Sequence, residues 1–167
     1  MVVRDARAGE FGVVGDLTVE AYGELASERY ARVLRDAESR AREARLLVCV
    51  DEGGLLGTAT FVAGCGPWHE IAGPDEAEFR MLAVDPEARG RGAGEALVEH
   101  MLALTAQLGR QRLVCSSASS MVMAHRLYER LGFARIPERD WSPMPDVALL
   151  VFAREVDEGD LPASPSP

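Results

Sequence analysis

The spacing of apolar residues divides the chain into runs of two kinds. Short, nearly continuous apolar runs bounded by turn formers predict buried strands at Leu46–Val50, Leu55–Ala63, Glu78–Val84, Arg112–Ser116, Phe133–Ile136 and Val147–Ala153. Val2–Arg4 reads as a short edge strand. Apolar positions three and four apart predict helices. One runs over Glu10–Ala21. A second starts at the cap Ser27, with Tyr30, Val33, Leu34, Ala37, Ala41 and Ala44 as its inner stripe. A long one carries Leu97, Met101, Leu104 and Leu108 and stops at Gly109. A short one carries Ala124, Leu127, Tyr128 and Leu131 and stops at Gly132. The arginines between Arg29 and Arg45, interleaved with Asp36, Glu38 and Glu43, read as the solvated face of the second helix.

Turn formers supply the rest. Tyr22–Ala26 interrupts the first two helices, Asp51–Gly54 is a tight turn, and Gly64–Asp75 and Pro137–Asp146 are Gly- or Pro-rich loops. Asp157–Pro167, rich in Pro, Ser and acid, predicts disorder. The chain therefore reads as one domain over residues 1–154 and an acidic Pro/Ser-rich tail over 155–167. The order is strand, two helices, three strands, helix, strand, helix, two strands. That order predicts an α/β fold of the α+β kind, with a mixed sheet of about seven strands.

The stretch Glu78–Gly94 organises this layout. Its strand stops at Asp85-Pro86, because proline cannot donate to a ladder. Arg89-Gly90-Arg91-Gly92-Ala93-Gly94 follows and leads into the long helix. Glycines at alternate positions let backbone N–H groups approach a ligand closely. Such a turn at a helix N-terminus is an anion site, and phosphate is the usual anion. A kinase-type P-loop needs a Gly-Lys-Ser/Thr triplet, which does not occur. The dinucleotide fingerprint needs Gly or Ala where Glu95 stands.

Arg89, Gly92 and Gly94 fill the pattern Arg-x-x-Gly-x-Gly, which resembles the pyrophosphate loop of the GNAT N-acetyltransferase superfamily. Leu82–Pro86 is similar to that family's central strand and its exit. Leu127-Tyr128, followed by Gly132-Phe133, resembles the end of its cofactor motif. The resemblance implies the GNAT fold: a mostly antiparallel mixed sheet with helices on both faces and a splay between the fourth and fifth strands. It implies acetyl-CoA as acetyl donor, a primary amine of a small molecule or protein as acceptor, and a possible homodimer. It also implies roles. Residues Arg89, Gly90, Arg91, Gly92, Ala93 and Gly94 hold the diphosphate. The Leu82 N–H receives the thioester carbonyl, and Ala83 and Val84 lie along the pantetheine arm. Tyr128 protonates the leaving thiolate, and Glu78 is the base that deprotonates the amine.

Each role has a structural counterpart. Tyr128 can instead pack between helix and sheet, and Glu78 can terminate its strand or pair with Arg80. Two positions depart from the family pattern. Ser116 stands where some relatives carry a second acid, and Met121 stands where many carry a cofactor-contacting asparagine. Cys115 on a buried strand reads as packing rather than as an acyl-cysteine nucleophile. Tyr22, Glu24, Trp68 and Trp141 fall on loops facing the acceptor or capping the core edge. A catalytically silent acyl-CoA sensor of the same fold, and a nucleotide-binding regulator, are the competing readings.

Composition narrows the setting. The net charge of −9 argues against nonspecific nucleic-acid binding and requires local arginines around any anionic cofactor. Cys49, Cys65 and Cys115 show no zinc or disulfide spacing, His69, His100 and His125 are scattered, and no metal site is expected. No apolar run approaches the ~20 residues of a membrane span, and Met1–Asp5 lacks a signal-peptide core, so a cytoplasmic protein is expected.

Overall fold

A computed structural model describes residues 1–23 and 26–161 of the chain. Its strands are β1 (Val2–Asp5), β2 (Arg45–Asp51), β3 (Gly54–Val62), β4 (Glu76–Val84), β5 (Arg112–Ala118), β6 (Ala134–Arg135), β7 (Trp141–Met144) and β8 (Val147–Glu155). Its helices are α1 (Phe11–Tyr22), α2 (Glu28–Arg35), α3 (Ala37–Glu43), α4 (Ala93–Gln107) and α5 (Val122–Arg130). One mixed sheet runs β1-β2-β3-β4-β5-β8-β6, with β7 also on β8.

Every pairing is antiparallel except β4 with β5. That parallel ladder is short. It joins Glu76 to Arg112, Ala77 to Leu113 and Glu78 to Val114, and then stops. Both strands continue beyond it, but on other partners. β4 stays on β3 as far as Val84 opposite Gly57, and β5 stays on β8 as far as Ala118 opposite Leu149. The sheet therefore opens between its fourth and fifth strands, as the family resemblance implies. A bulge accompanies the opening. Thr58 faces Ala83 and Thr60 faces Arg80, so Met81 and Leu82 together oppose Ala59. Met81 has φ +54°, a left-handed conformation that side-chain-bearing residues seldom adopt.

Strand alternation assigns the two faces. Leu47, Phe61, Phe79, Leu113, Cys115 and Phe152 point to the side covered by α4 and α5, where Leu97, Met101 and Tyr128 meet them. Leu46, Val48, Val62 and Met81 point to the side covered by α1, α2 and α3, against Val14, Leu34 and Ala37.

The second face is fastened by an arginine. The arginines from Arg29 to Arg45 were expected mostly on the solvated side, yet Arg40 is 0% exposed. Its guanidinium donates to the Leu34 carbonyl at 2.7 Å, to Thr18 Oγ1 at 3.2 Å and to Thr60 Oγ1 at 3.3 Å. It thus ties α1, the end of α2, α3 and β3 together, and it satisfies a carbonyl that the last turn of α2 leaves open. Burial lowers its pKa to about 10, which still leaves it charged at neutral pH.

Other elements depart from expectation. The single second helix is two, because Asp36 leaves helical geometry (ψ 68°) and its side chain caps Ser39 N. Val33 consequently faces solvent. Tyr22 closes α1 rather than opening a loop, and Glu24 lies outside the described residues. Trp141–Met144, expected in a loop, adds an eighth strand as one arm of a hairpin with β8. Of the residues expected in the tail, Glu155 lies in β8, Val156 packs on the main core, and Asp160 pairs with Arg154 at 2.9 Å. The remainder of that tail, residues 162–167, lies outside the described residues.

Replacing Arg40 with alanine should destabilise the domain by about 3 kcal/mol, since it strands buried acceptors on three elements. Urea unfolding should show a lower midpoint at unchanged slope.

Candidate functional site

The turn after β4 is built for close approach. Asp85 caps a short 3₁₀ turn at Pro86–Ala88 by accepting from Glu87 N at 2.8 Å. Gly90 (φ +77°) and Gly92 (φ +86°) then take left-handed conformations, with no heavy atom within 4 Å of where a side chain would start. Gly92 is the N-cap of α4, and the first helical hydrogen bond runs from Ala96 N to Gly92 O. The amides of Gly92, Ala93, Gly94 and Glu95 are therefore the helix's four open donors. Gly94 is glycine for a different reason. A Cβ there would lie 3.1 Å from Leu127 and 3.4 Å from Val84, so it lets α4, α5 and the end of β4 converge.

Not every expected donor is open. The Arg91 amide closes a turn on Ala88 O at 3.2 Å, and its side chain is ion-paired with Asp51 in the β2–β3 turn. Arg89 is solvent-exposed at the lip of the loop. Leu82 and Val84, both half-buried, pack on the main core, and Ala83 is buried. Between Phe79 and Val84 the edge of β4 toward β5 has no strand partner among the described residues. Its backbone groups thus open into the gap, within one strand length of the α4 N-terminus.

Tyr128 approaches the gap from the α5 face. Its ring lies edge-on to Phe79 at 5.6 Å and to Phe152 at 5.5 Å, with Phe133 at 5.8 Å, and it is 4% exposed. Burial, then Cys115, then Tyr22 raise its pKa well above the ordinary phenol value. The phenol is therefore protonated throughout the neutral range. Tyr22 contributes from α1, on the opposite face of the sheet.

Glu78 is placed differently from a free base. It is 0% exposed, and its carboxylate accepts from the amides of Glu70, Ile71 and Ala72 at 2.6, 2.7 and 3.0 Å. Both oxygens are committed to the β3–β4 loop. That loop carries what the sequence reading missed. Glu70 lies 2.9 Å from the Arg80 guanidinium and 3.5 Å from Ser116 Oγ. Arg80 also donates to the Trp68 carbonyl at 3.0 Å and lies 5.9 Å from the centre of the Trp68 ring. The available signal was a lone acid among the bulky residues Trp68, His69 and Ile71, inside an otherwise Gly- and Pro-rich loop. Trp141 sits apart, in β7 opposite Leu149.

A sequence profile of the acetyltransferase (GNAT) domain matches residues 42–135, more than half of the chain. The chain belongs to the GNAT acetyltransferase family. This GNAT domain is 30% identical over 105 residues to an N-acetyltransferase of Schizosaccharomyces pombe, covering 63% of this chain and 61% of that protein. It is 45% identical over 69 residues to a mycothiol acetyltransferase of Salinispora arenicola, covering 40% of this chain and 22% of that one. The chain thus spans about three fifths or less of the length of these curated relatives. Among solved structures, yncA from Salmonella typhimurium, which holds its cofactor acetyl-CoA, superposes with a TM-score of 0.69 at 22% identity. That match covers 99% of this chain and 98% of the other. Among the described residues of the GNAT domain, no cluster of His, Cys, Asp and Glu could hold a metal, and no helix is long and apolar enough to cross a membrane.

Glu78→Gln should free the β3–β4 loop, because an amide cannot accept from all three N–H groups. The expected cost is about 2 kcal/mol. Amide hydrogen exchange should accelerate at residues 70–72, while exchange at the α4 amides stays as it was.

Proposed function

We propose that the chain transfers an acetyl group from acetyl-CoA directly to a primary amine of a small molecule or protein. The observation that carries this reading is an open strand edge on β4 followed by a glycine turn with four open amides at the start of α4. A diphosphate at the end of an extended, amide-bearing arm matches that order of open backbone groups. The acetyl-CoA held by yncA, whose fold the chain shares, supports the same ligand.

In this reading the diphosphate rests on the amides of Gly92, Ala93 and Gly94, with Arg89 as the nearby cation. Arg91 serves the loop from a distance, by neutralising Asp51 beside it. The pantetheine arm pairs with the backbone of Ala83 and Val84 as an added strand. The Leu82 N–H, at the bulge, donates to the thioester carbonyl oxygen as it takes on negative charge. Tyr128 gives its proton to the departing thiolate, and its raised pKa means the proton is present to give. Cys115 does not attack the thioester, since burial raises its thiol pKa and leaves it protonated.

The acyl-CoA sensor is the second reading. Met121 at the α5 N-cap, in place of a polar cofactor contact, and the occupied carboxylate of Glu78 favour it. Turnover separates the two. Thioester consumption with a panel of primary amines is expected, whereas calorimetric heat with acetyl-CoA and no acetylated amine would establish the sensor.

Tyr128→Phe should lower kcat by about 100-fold with little change in acetyl-CoA affinity. Unchanged turnover would remove Tyr128 as the acid. Gly92→Val should abolish the calorimetric signal for acetyl-CoA while the folded circular dichroism spectrum persists.

A further inference from the structure

Glu78 is buried and its carboxylate already accepts three amides, while the β3–β4 loop supplies a second, partly exposed carboxylate. Arg80 stands two residues beyond Glu78 on β4, and Ser116 stands two residues beyond Val114 on β5. Glu78 and Val114 are the last paired residues of that ladder. By strand alternation Arg80 and Ser116 point to the same face of the sheet, the one covered by α1 and α2. They are therefore the first side chains on that face after the strands part. Glu70 touches both of them, so its carboxylate bridges the mouth of the gap from one strand to the other.

The backbone that places it is fixed. The Glu70 amide donates to Glu78, and the Ile71 carbonyl accepts from Arg139 at 2.7 Å. Arg139 is in turn held at 2.9 Å by Glu76, at the start of β4. The backbone at Glu70 is thus held by bonds that do not involve its own side chain. Its side chain keeps 23% exposure, whereas Glu78 has none.

Building on the acetyl-transfer reading above, we propose that Glu70 is the catalytic base that accepts a proton from the acceptor amine, with Arg80 and Ser116 positioning its carboxylate. The ammonium of the acceptor gives one proton to the Glu70 carboxylate. The freed lone pair forms the C–N bond at the thioester carbon, and the carbonyl electrons move to the oxygen facing Leu82 N–H. Collapse breaks the C–S bond, whose electron pair leaves on sulfur and takes the Tyr128 proton. The second nitrogen proton returns to Tyr128, and Glu70 releases its own to solvent. Base and acid thus address the thioester from opposite faces of the sheet, through the gap between β4 and β5.

The charges around Glu70 set its working range. Burial is the largest influence and raises its pKa. Arg80 opposes that, Glu78 adds to it, and the Ser116 hydroxyl lowers it slightly. Tyr30 of α2 faces the same carboxylate and is neutral, its own pKa being raised by burial. A base works deprotonated. The rate should therefore fall as pH drops through a value above the ordinary carboxylate range, and no such limb should remain once the carboxylate is removed.

The test is Glu70→Gln in the full chain, assayed against wild type for acetyl-CoA heat by calorimetry and for amine acetylation across pH. The inference expects unchanged heat, kcat reduced about 100-fold, and loss of the acidic limb from the kcat/KM profile. Glu70→Asp should restore part of the rate and the limb. Wild-type turnover matched by Glu70→Gln, with the acidic limb intact, would overturn Glu70 as base and leave the acetyl-transfer reading standing. Wild-type protein that binds acetyl-CoA but acetylates no amine would overturn both.

Discussion

Everything at the site depends on two adjacent strands ceasing to pair. An open edge in the middle of a sheet is costly, because each unpaired N–H or carbonyl forgoes a hydrogen bond. Here the separation is enforced from both sides. β5 is committed to β8 along seven registered residues, from Arg112 opposite Glu155 to Ala118 opposite Leu149, and cannot follow β4. β4 is redirected by the bulge at Met81, whose left-handed backbone costs about 1–3 kcal/mol. The strain is offset by packing: Met81 is 3% exposed and joins Leu34, Val62 and Trp68 in the core beneath α2. The gap is thus a maintained feature, and a ligand with an extended amide backbone can supply the bonds the sheet forgoes.

Around that gap the protein manages charge by local pairing. The chain is acidic overall, yet carboxylates near the site are matched by arginines: Asp51 with Arg91, Glu70 with Arg80, Glu76 with Arg139 and Arg112. Glu78 is answered by backbone amides alone. Amides neutralise a carboxylate without adding a cation. Arg80 is therefore not drawn away to Glu78 and lies against Glu70 at the mouth of the gap. The polar part of the β3–β4 loop is held by a few part-buried hydrogen bonds, which lets a Gly- and Pro-rich segment carry a fixed side chain.

The glycine turn after β4 was legible in the sequence, and the packing of the β3–β4 loop was not. Gly90 and Gly92 take left-handed backbone angles that favour glycine, Gly94 leaves room for Leu127 and Val84, and periodicity marks β4 and α4 on either side. Tyr128 is legible from its place before Gly132-Phe133. The N-terminal helices were less so. The stripe through Tyr30 and Ala44 implied one helix, but Asp36 caps a new one, and that break turns Arg40 inward and Val33 outward. Trp141–Met144 hid its strand behind Pro143, which an edge position tolerates. Glu70 was unreadable for a deeper reason. Its role depends on Arg80 and Ser116, which lie 10 and 46 positions away in the chain and meet it only because the strands part.

A single physical cause acts on both ends of the proposed proton path. Burial at the gap raises the pKa of Tyr128 and of Glu70 alike. For an acid, the rise keeps the proton in place until the thiolate forms. For a base, it strengthens proton affinity, and a carboxylate in bulk water is too weak a base to compete for an ammonium proton. Unchecked burial would leave the carboxyl neutral and useless, and Arg80 at 2.9 Å limits that. In the proposed path the two groups meet through a gap reached from both faces of the sheet, which the bulge and the short β4–β5 ladder provide.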